Sequence, residues 1–407
     1  MRVDGFARRE TSEGVEHSAR VRWRDGELRL WVAVPAELEA EPEDASAFAC
    51  ATLLPAMRLG EDLDIDGPVS PRLVRGLDRA RDLFRAWAPT LHPTAVRVAE
   101  ERPPVPRSDQ TACFFSRGVD STYSATVPRS YPAPVDRLVF SDRLEPLHDA
   151  EVRATEIRLA NEVAERIGLP LAVVSTNVRE LTDPLIRDWE DMVAGGLSFV
   201  AHALAGGARR VLIPSSQGPA TIAPSGTSPL LDHLFSTEAV EICHDSVARG
   251  RVAKGLWLAR ERPEIAVGLK VCYAENRPDN CAKCGKCLLT MATLEAAGLL
   301  HAAEHFPHQI DLDAVAAMRL TNLGARADLA EVAEALDGPH HAELREAVLE
   351  AIGHPAPPYP GAPVPGDSPR FLARHAQLTL SLIRDGRPWP PLEDDAGGAD
   401  VSSRRNI

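Results

Sequence analysis

An α/β fold, a parallel twisted sheet flanked by helices, is the class this sequence predicts, and two observations predict it. Through residues 108–300, short apolar runs alternate with amphipathic helical patterns, and such alternation builds a parallel sheet covered by helices. A tight polar loop, Ser116-Arg117-Gly118, opens directly after the first of those runs. Right-handed crossovers then gather the loops that follow the strands along one sheet edge, where ligands bind.

The elements follow in chain order. Residues 1–105 read as a small N-terminal α+β domain. Residues 19–24 and 27–34 alternate apolar and polar side chains around Asp25-Gly26, which predicts a hairpin with a type I′ turn at the Asp-Gly pair. Helical patterns cover 45–59 and 70–87. Pro103, Pro104 and Pro106 mark a linker. Strands are expected at 111–115, 137–140, 171–175 and 210–213. A helix is expected over 149–167, with Val152, Leu159, Val163 and Ile167 on one stripe, and another over 189–205. Residues 301–384 form a helical C-terminal region. The tail 385–407, rich in Pro, Gly, Asp and Ser, is expected to be disordered.

The composition, 44% hydrophobic and 26% charged, is that of an ordinary globular chain. No run approaches the roughly 20 apolar residues of a membrane span. The first ten residues lack the apolar core of a secretory signal, so a cytoplasmic location is expected. A net charge of −14 disfavours a nucleic-acid partner. Of seven cysteines, four are grouped and Cys50, Cys113 and Cys243 are scattered. That distribution suits a reducing compartment, not a disulfide framework.

Two motifs carry chemistry. The first is Phe114-Phe115-Ser116-Arg117-Gly118-Val119-Asp120-Ser121-Thr122, at a strand-to-helix junction. Backbone N–H groups at a helix start, with the hydroxyls of Ser116 and Ser121, can cradle a pyrophosphate. Gly118 allows close approach, and Asp120 either caps the helix or holds a magnesium ion. Walker-A and GxGxxG patterns are absent, which removes support for P-loop NTPases and dinucleotide-dependent dehydrogenases. The second motif is C-x8-C-x2-C-x2-C, formed by Cys272, Cys281, Cys284 and Cys287. Cysteine knuckles of this spacing converge on zinc. Four thiolates close the ion's coordination, so the site is structural; an iron–sulfur cluster is the alternative. Gly285 is expected to give the knuckle its turn, and Lys283 and Lys286 to soften its charge.

The first motif resembles the PP-loop of the ATP pyrophosphatase (adenine nucleotide alpha hydrolase-like) superfamily, Ser-Gly-Gly-x-Asp-Ser. Ser116, Gly118, Asp120 and Ser121 match it; Arg117 replaces its first glycine. The cysteines resemble the zinc site of the 7-cyano-7-deazaguanine synthase-like branch, in the same order along the chain. The resemblance covers about residues 108–300. It implies ATP and Mg²⁺ bound by residues 116–122, with Asp120 and Ser121 catalytic. It further implies Zn²⁺ on the cysteines, and adenylation of a small-molecule carboxylate or amide for attack by ammonia or an amine. ATP-dependent sulfur transfer and non-catalytic nucleotide binding are the alternatives. The N-terminal region would serve as a substrate lid, a homodimer surface or a partner dock.

Weaker candidates are 213–217 and 225–232 as substrate loops, His244 as a base near Glu241 and Asp245, Thr176-Asn177 in an adenine pocket, and Lys254 and Lys270 against phosphate. Cys113 reads as buried core. The run 62–67 begins like a calcium loop, but Leu73 stands where the bidentate Glu belongs, which rejects it. His301, His305 and His308 fit no specific metal spacing.

Overall fold

A computed structural model gives the fold. It describes all residues except 13, 42, 130–132, 145–149, 187–188, 273–276, 321–322 and 355–407. The expected disordered tail, and the helical region beyond residue 354, lie outside the described residues.

Ten strands form one mostly parallel sheet: β1 (Arg2–Thr11), β2 (Gly14–Trp23), β3 (Gly26–Val34), β4 (Leu63–Val69), β5 (Val96–Glu101), β6 (Thr111–Phe114), β7 (Arg137–Asp142), β8 (Leu171–Thr176), β9 (Arg210–Pro214) and β10 (Glu241–Asp245). Their order is β10-β9-β6-β7-β8-β3-β2-β1-β4-β5. The strands β10 to β8 run parallel, as the alternating pattern requires. The strands β3, β2 and β1 join antiparallel, and β4 and β5 return to parallel pairing. The segment expected as a separate N-terminal domain thus continues the sheet of the segment after it.

That junction is narrow and reinforced. Strand β3 pairs with β8 only at Val32↔Thr176 and Ala33↔Ser175. Asn177 lengthens the ladder with its side chain, accepting from the Trp31 N–H at 2.8 Å and donating to the Arg29 carbonyl at 2.9 Å. Asn177, expected in an adenine pocket, is instead a buried stitch between strands.

The helices are α1 (Ser46–Leu59), α2 (Pro71–Trp87), α3 (Val119–Thr126), α4 (Ala150–Ile167), α5 (Val178–Thr182), α6 (Val193–Ala203), α7 (Arg251–Glu261), α8 (Pro263–Ala266), α9 (Gly285–Ala296), α10 (Leu312–Ala316), α11 (Leu323–Ala335) and α12 (Ala342–Gly353). Alternation along β6 sorts the two cores: Ala112 and Phe114 face the layer of α1, α2 and α6, while Cys113 faces α3, α4 and α8. Cys113 is fully buried, as expected of core. Ser70 caps α2, its hydroxyl accepting from the Leu73 N–H at 3.0 Å. The buried stripe of α4 is Ala160, Val163 and Ala164 with Ile167 beside them. Val152 and Leu159, expected on that stripe, are half-buried at its flank. The helix expected over 189–205 is divided into a 3-10 turn, Trp189–Asp191, and α6.

The hairpin forms with a different turn. Trp23 pairs with Gly26, so the turn residues are Arg24 and Asp25, and neither has a positive φ. A type I′ turn is therefore absent. Gly26 is required for another reason: a Cβ there would meet the Trp23 ring at 2.7 Å.

The face of β1 and β2 turned away from the helices carries ion pairs instead. Asp4 lies under Arg2, Arg20 and Arg22, and Glu16 under Arg9 and Arg29. Among the described residues, no helix is long and apolar enough to cross a membrane.

Candidate functional site

The cleft of interest opens where β6 turns into α3. Strand β6 is buried throughout, and its last carbonyls lead into Phe115, Ser116 and Arg117. Arg117 takes the left-handed conformation, φ 61°, at the position where the resembled signature has glycine. Gly118 then precedes α3 with extended backbone, φ −73°. A Cβ at Gly118 would stand 3.3 Å from the Ser116 hydroxyl, so glycine keeps that approach open. The Ser121 hydroxyl closes the loop. It accepts from the Ser116 N–H at 3.1 Å, donates to the Gly118 carbonyl at 3.2 Å and lies 3.2 Å from the Ser116 hydroxyl. Val119, Asp120 and Ser121, the first turn of α3, line the cleft at the positive end of the helix dipole.

Ser116, Gly118, Val119, Asp120 and Ser121 line the cleft; Arg117 and Thr122 do not. The cleft holds about 1050 Å³ of empty space, counting solvent at its mouth. Among the described residues, five cationic side chains line it, Arg143, Arg153, Arg251, Lys270 and Lys286, against three carboxylates, Asp120, Asp142 and Glu156. The balance favours an anionic occupant.

Each carboxylate is held. Asp120 accepts from Arg251 at 2.9 and 3.1 Å and from Lys254 at 3.4 Å. Lys254 is fully buried, donates to the Ser215 carbonyl at 2.5 Å, and its pKa is pushed down by burial. Asp142, at the end of β7, accepts from Ser175 at 3.2 Å and lies near Arg143 and Arg153. Glu156, on α4, meets Arg117 at 2.6 Å and Lys270 at 3.4 Å. Arg117 is wholly buried beneath the loop, so it does not block the cleft.

The four cysteines come together beside this cleft, which Cys272 also lines. Their sulfurs lie within 4.8 Å of one another, and those of Cys281 and Cys287 are 3.8 Å apart. A tetrahedron of Zn–S bonds of about 2.3 Å sets its sulfurs about 3.8 Å apart, so the donors are compatible with a zinc site. The Lys283 and Cys284 N–H groups donate to the Cys281 sulfur at 3.4 and 3.3 Å. The turn's left-handed residue is Ala282, φ 59°, whereas Gly285, expected to supply that freedom, begins α9. Hydrogen bonding from Cys287 pulls the Cys284 thiol down to about 5, and the same contact pushes Cys287 up. Four thiols this close share their protons unless a cation sits among them. Asn280 anchors the knuckle, accepting from the Val271 and Cys272 N–H groups at 2.8 and 3.0 Å and donating to the Leu269 carbonyl at 3.0 Å.

His244 is placed apart from the cleft lining but is oriented. Its Nδ1 is 2.8 Å from Asp232, which also accepts from Thr227 and the Ser228 N–H. The Nε2 atom is buried without a partner among the described residues. Asp245 pairs with Arg129 at 2.6 Å. His305 meets Asp279 and His308 meets the Ala303 carbonyl, so these do not gather. The calcium-like run 62–67 falls largely in β4.

The sequence reading missed Asp142, Arg153, Glu156 and Arg251, which reach the cleft from β7, α4 and α7. It also missed Asp328 on α11, a helix packed on α7 and α9. Burial raises the Asp328 carboxyl to about 6; Asp120 and Glu331 add to the rise, and Arg251 and Lys254 oppose it. The folded pKa lies above the unfolded one, so this group's contribution to stability is complete below about pH 4 and is lost as pH rises through about 6. Asp328→Asn is therefore expected to stabilise the fold at pH 7.5 by about 1–2 kcal/mol relative to its effect at pH 4, measured by urea unfolding at both pH values.

No family model, curated protein or solved structure matches the chain.

Proposed function

We propose that the chain binds ATP with its triphosphate on the loop 116–121 and transfers AMP to a small acidic molecule, releasing pyrophosphate. The acyl adenylate would then be open to ammonia or an amine. One observation carries the reading: a helix start and five cationic side chains converge on one cleft at the end of β6. On this reading the sheet is the PP-loop type, and the cysteines hold one structural Zn²⁺.

The loop N–H groups and Lys270 would neutralise the leaving pyrophosphate. Asp120 would hold Mg²⁺, which supplies charge neutralisation at the phosphates. Arg251 and Lys254, released from Asp120, would turn to the phosphates. Arg143 and Arg153 would orient the substrate's carboxylate. The buried position of Arg117 supports an open loop over a degenerate one. Sulfur transfer needs a free thiol: on this reading zinc takes the four clustered sulfurs, Cys50 and Cys113 are fully buried, and burial pushes the Cys243 thiol up to about 12.

The test is a screen of small carboxylic acids with ATP, Mg²⁺ and ammonia, following AMP and pyrophosphate together. Release of both in equal amounts, dependent on one acid, is expected. Bound ATP with no AMP from any acid would reject adenylation.

A further inference from the structure

We infer that Arg117 is a positioning residue, a buried counter-ion that neutralises Glu156 and so leaves Lys270 for the phosphate groups of the ligand. The inference rests on the phosphate-binding reading of the cleft and deepens it.

An arginine in the left-handed region is uncommon, since its Cβ crowds the backbone there. Here the side chain folds under the loop and is fully buried. Its Nη2 donates to Glu156 Oε2 at 2.6 Å, and its Nε and Nη1 have no hydrogen-bond partner among the described residues. Glu156 is therefore the group that balances this buried cation, which needs a carboxylate beside it. The second oxygen of Glu156 meets Lys270 Nζ at 3.4 Å, a long contact, while Lys270 Nζ donates to the Arg277 carbonyl at 2.9 Å. The Lys270 N–H also donates to the Arg117 carbonyl at 3.0 Å, which fixes the lysine against the phosphate loop. Glu156 and Lys270 line the cleft and Arg117 does not.

The charges decide what this does. Without Arg117, Glu156 would stand as an uncompensated anion close to the helix start. It would repel a triphosphate and hold Lys270 to itself. With Arg117 beneath it, the carboxylate is neutralised from the protein side. Lys270 can then turn to a phosphate without stripping Glu156 of its partner. Replacing a loop glycine with arginine thus leaves the cleft its cation.

Calorimetry of the full chain with inorganic triphosphate, and separately with ATP and Mg²⁺, tests this. Arg117→Met is expected to weaken triphosphate binding about tenfold or more, and Lys270→Met about tenfold. Adding Glu156→Gln to Arg117→Met is expected to restore affinity to within about threefold of wild type. Should Arg117→Met alone fail to fold, the double variant carries the comparison, because both charges are gone together. A double variant still about tenfold weak makes Arg117 a strut and overturns the inference. So does Lys270→Met with unchanged affinity, or a wild-type chain that binds no triphosphate. The two readings fail separately. Triphosphate bound in the expected pattern without AMP formation rejects adenylation alone. AMP formation without that pattern rejects the role of Arg117 alone.

Discussion

Asp120→Asn is expected to cut pyrophosphate release by about a thousandfold while ATP remains bound. A carboxylate in the first turn of α3 faces the same cleft as the N–H groups that would receive phosphate. Unless a cation lies between, it repels the ligand it is meant to serve. In the structure Arg251 and Lys254 supply that balance. With nucleotide bound, Asp120 would hold Mg²⁺ and its two partners would face the phosphates. The asparagine keeps the shape and removes one negative charge. Binding of ATP without Mg²⁺ should therefore be unchanged or tighter, and Mg²⁺ should no longer promote turnover. Binding is read by calorimetry, turnover by coupled pyrophosphate release across a Mg²⁺ titration. Turnover retained within about tenfold would remove Asp120 from the chemistry. Lys254 loses its carboxylate in this variant, so a melting curve must accompany the assay.

Cys287→Ser is expected to release one zinc per chain and lower Tm by about 10 °C or more. Structural zinc in small peptides contributes about 10–16 kcal/mol of folding free energy; in this larger scaffold the loss is partial. The mechanism is local. Cys272, Cys281 and Cys287 share one apolar cluster with Val119 and Tyr123 of α3, and with Leu258, Met291 and Leu294. Without the ion, the sulfurs lose the centre that draws them together, and the packing that seats α3 loosens. Affinity for ATP should fall together with Tm, although no cysteine sulfur is assigned to the nucleotide. Metal analysis on the purified chain, with scanning calorimetry before and after chelation, checks both. Iron with sulfide in place of zinc would overturn the assignment of the ion.

What could be read from the sequence was what neighbours along the chain decide. The junction of β6 and α3 was legible because an apolar run, a glycine and an Asp-Ser pair fall within a dozen residues. The cysteines were legible because knuckle spacing is itself the geometry. The strands β1, β4 and β5 were not. The ion pairs over Asp4 and Glu16 replace the apolar alternation that would have marked a buried face. Strand β4 contains Asp66-Gly67-Pro68, which reads as a turn. Glu156 and Arg251 were hidden for another reason: each is an ordinary charged residue on a helix, and only the fold brings it to the cleft. Arg117 was visible as a departure, but its direction, under the loop and away from the ligand, is set by a partner on α4.

The narrow β3–β8 junction has a consequence for synthesis. Strands β1 to β5 leave the ribosome before β6 to β10, with α1 and α2 to cover part of their apolar side. Phe48 of α1 packs edge-on against Phe199 of α6, ring centres 5.2 Å apart. Val32 and Leu30 belong to the same apolar cluster as Val174 and Val211, which are translated much later. This segment, about a quarter of the 407 residues, must therefore wait, partly uncovered, for the later strands and α6. Severing the chain between β5 and β6 would leave two fragments, each with a raw seam.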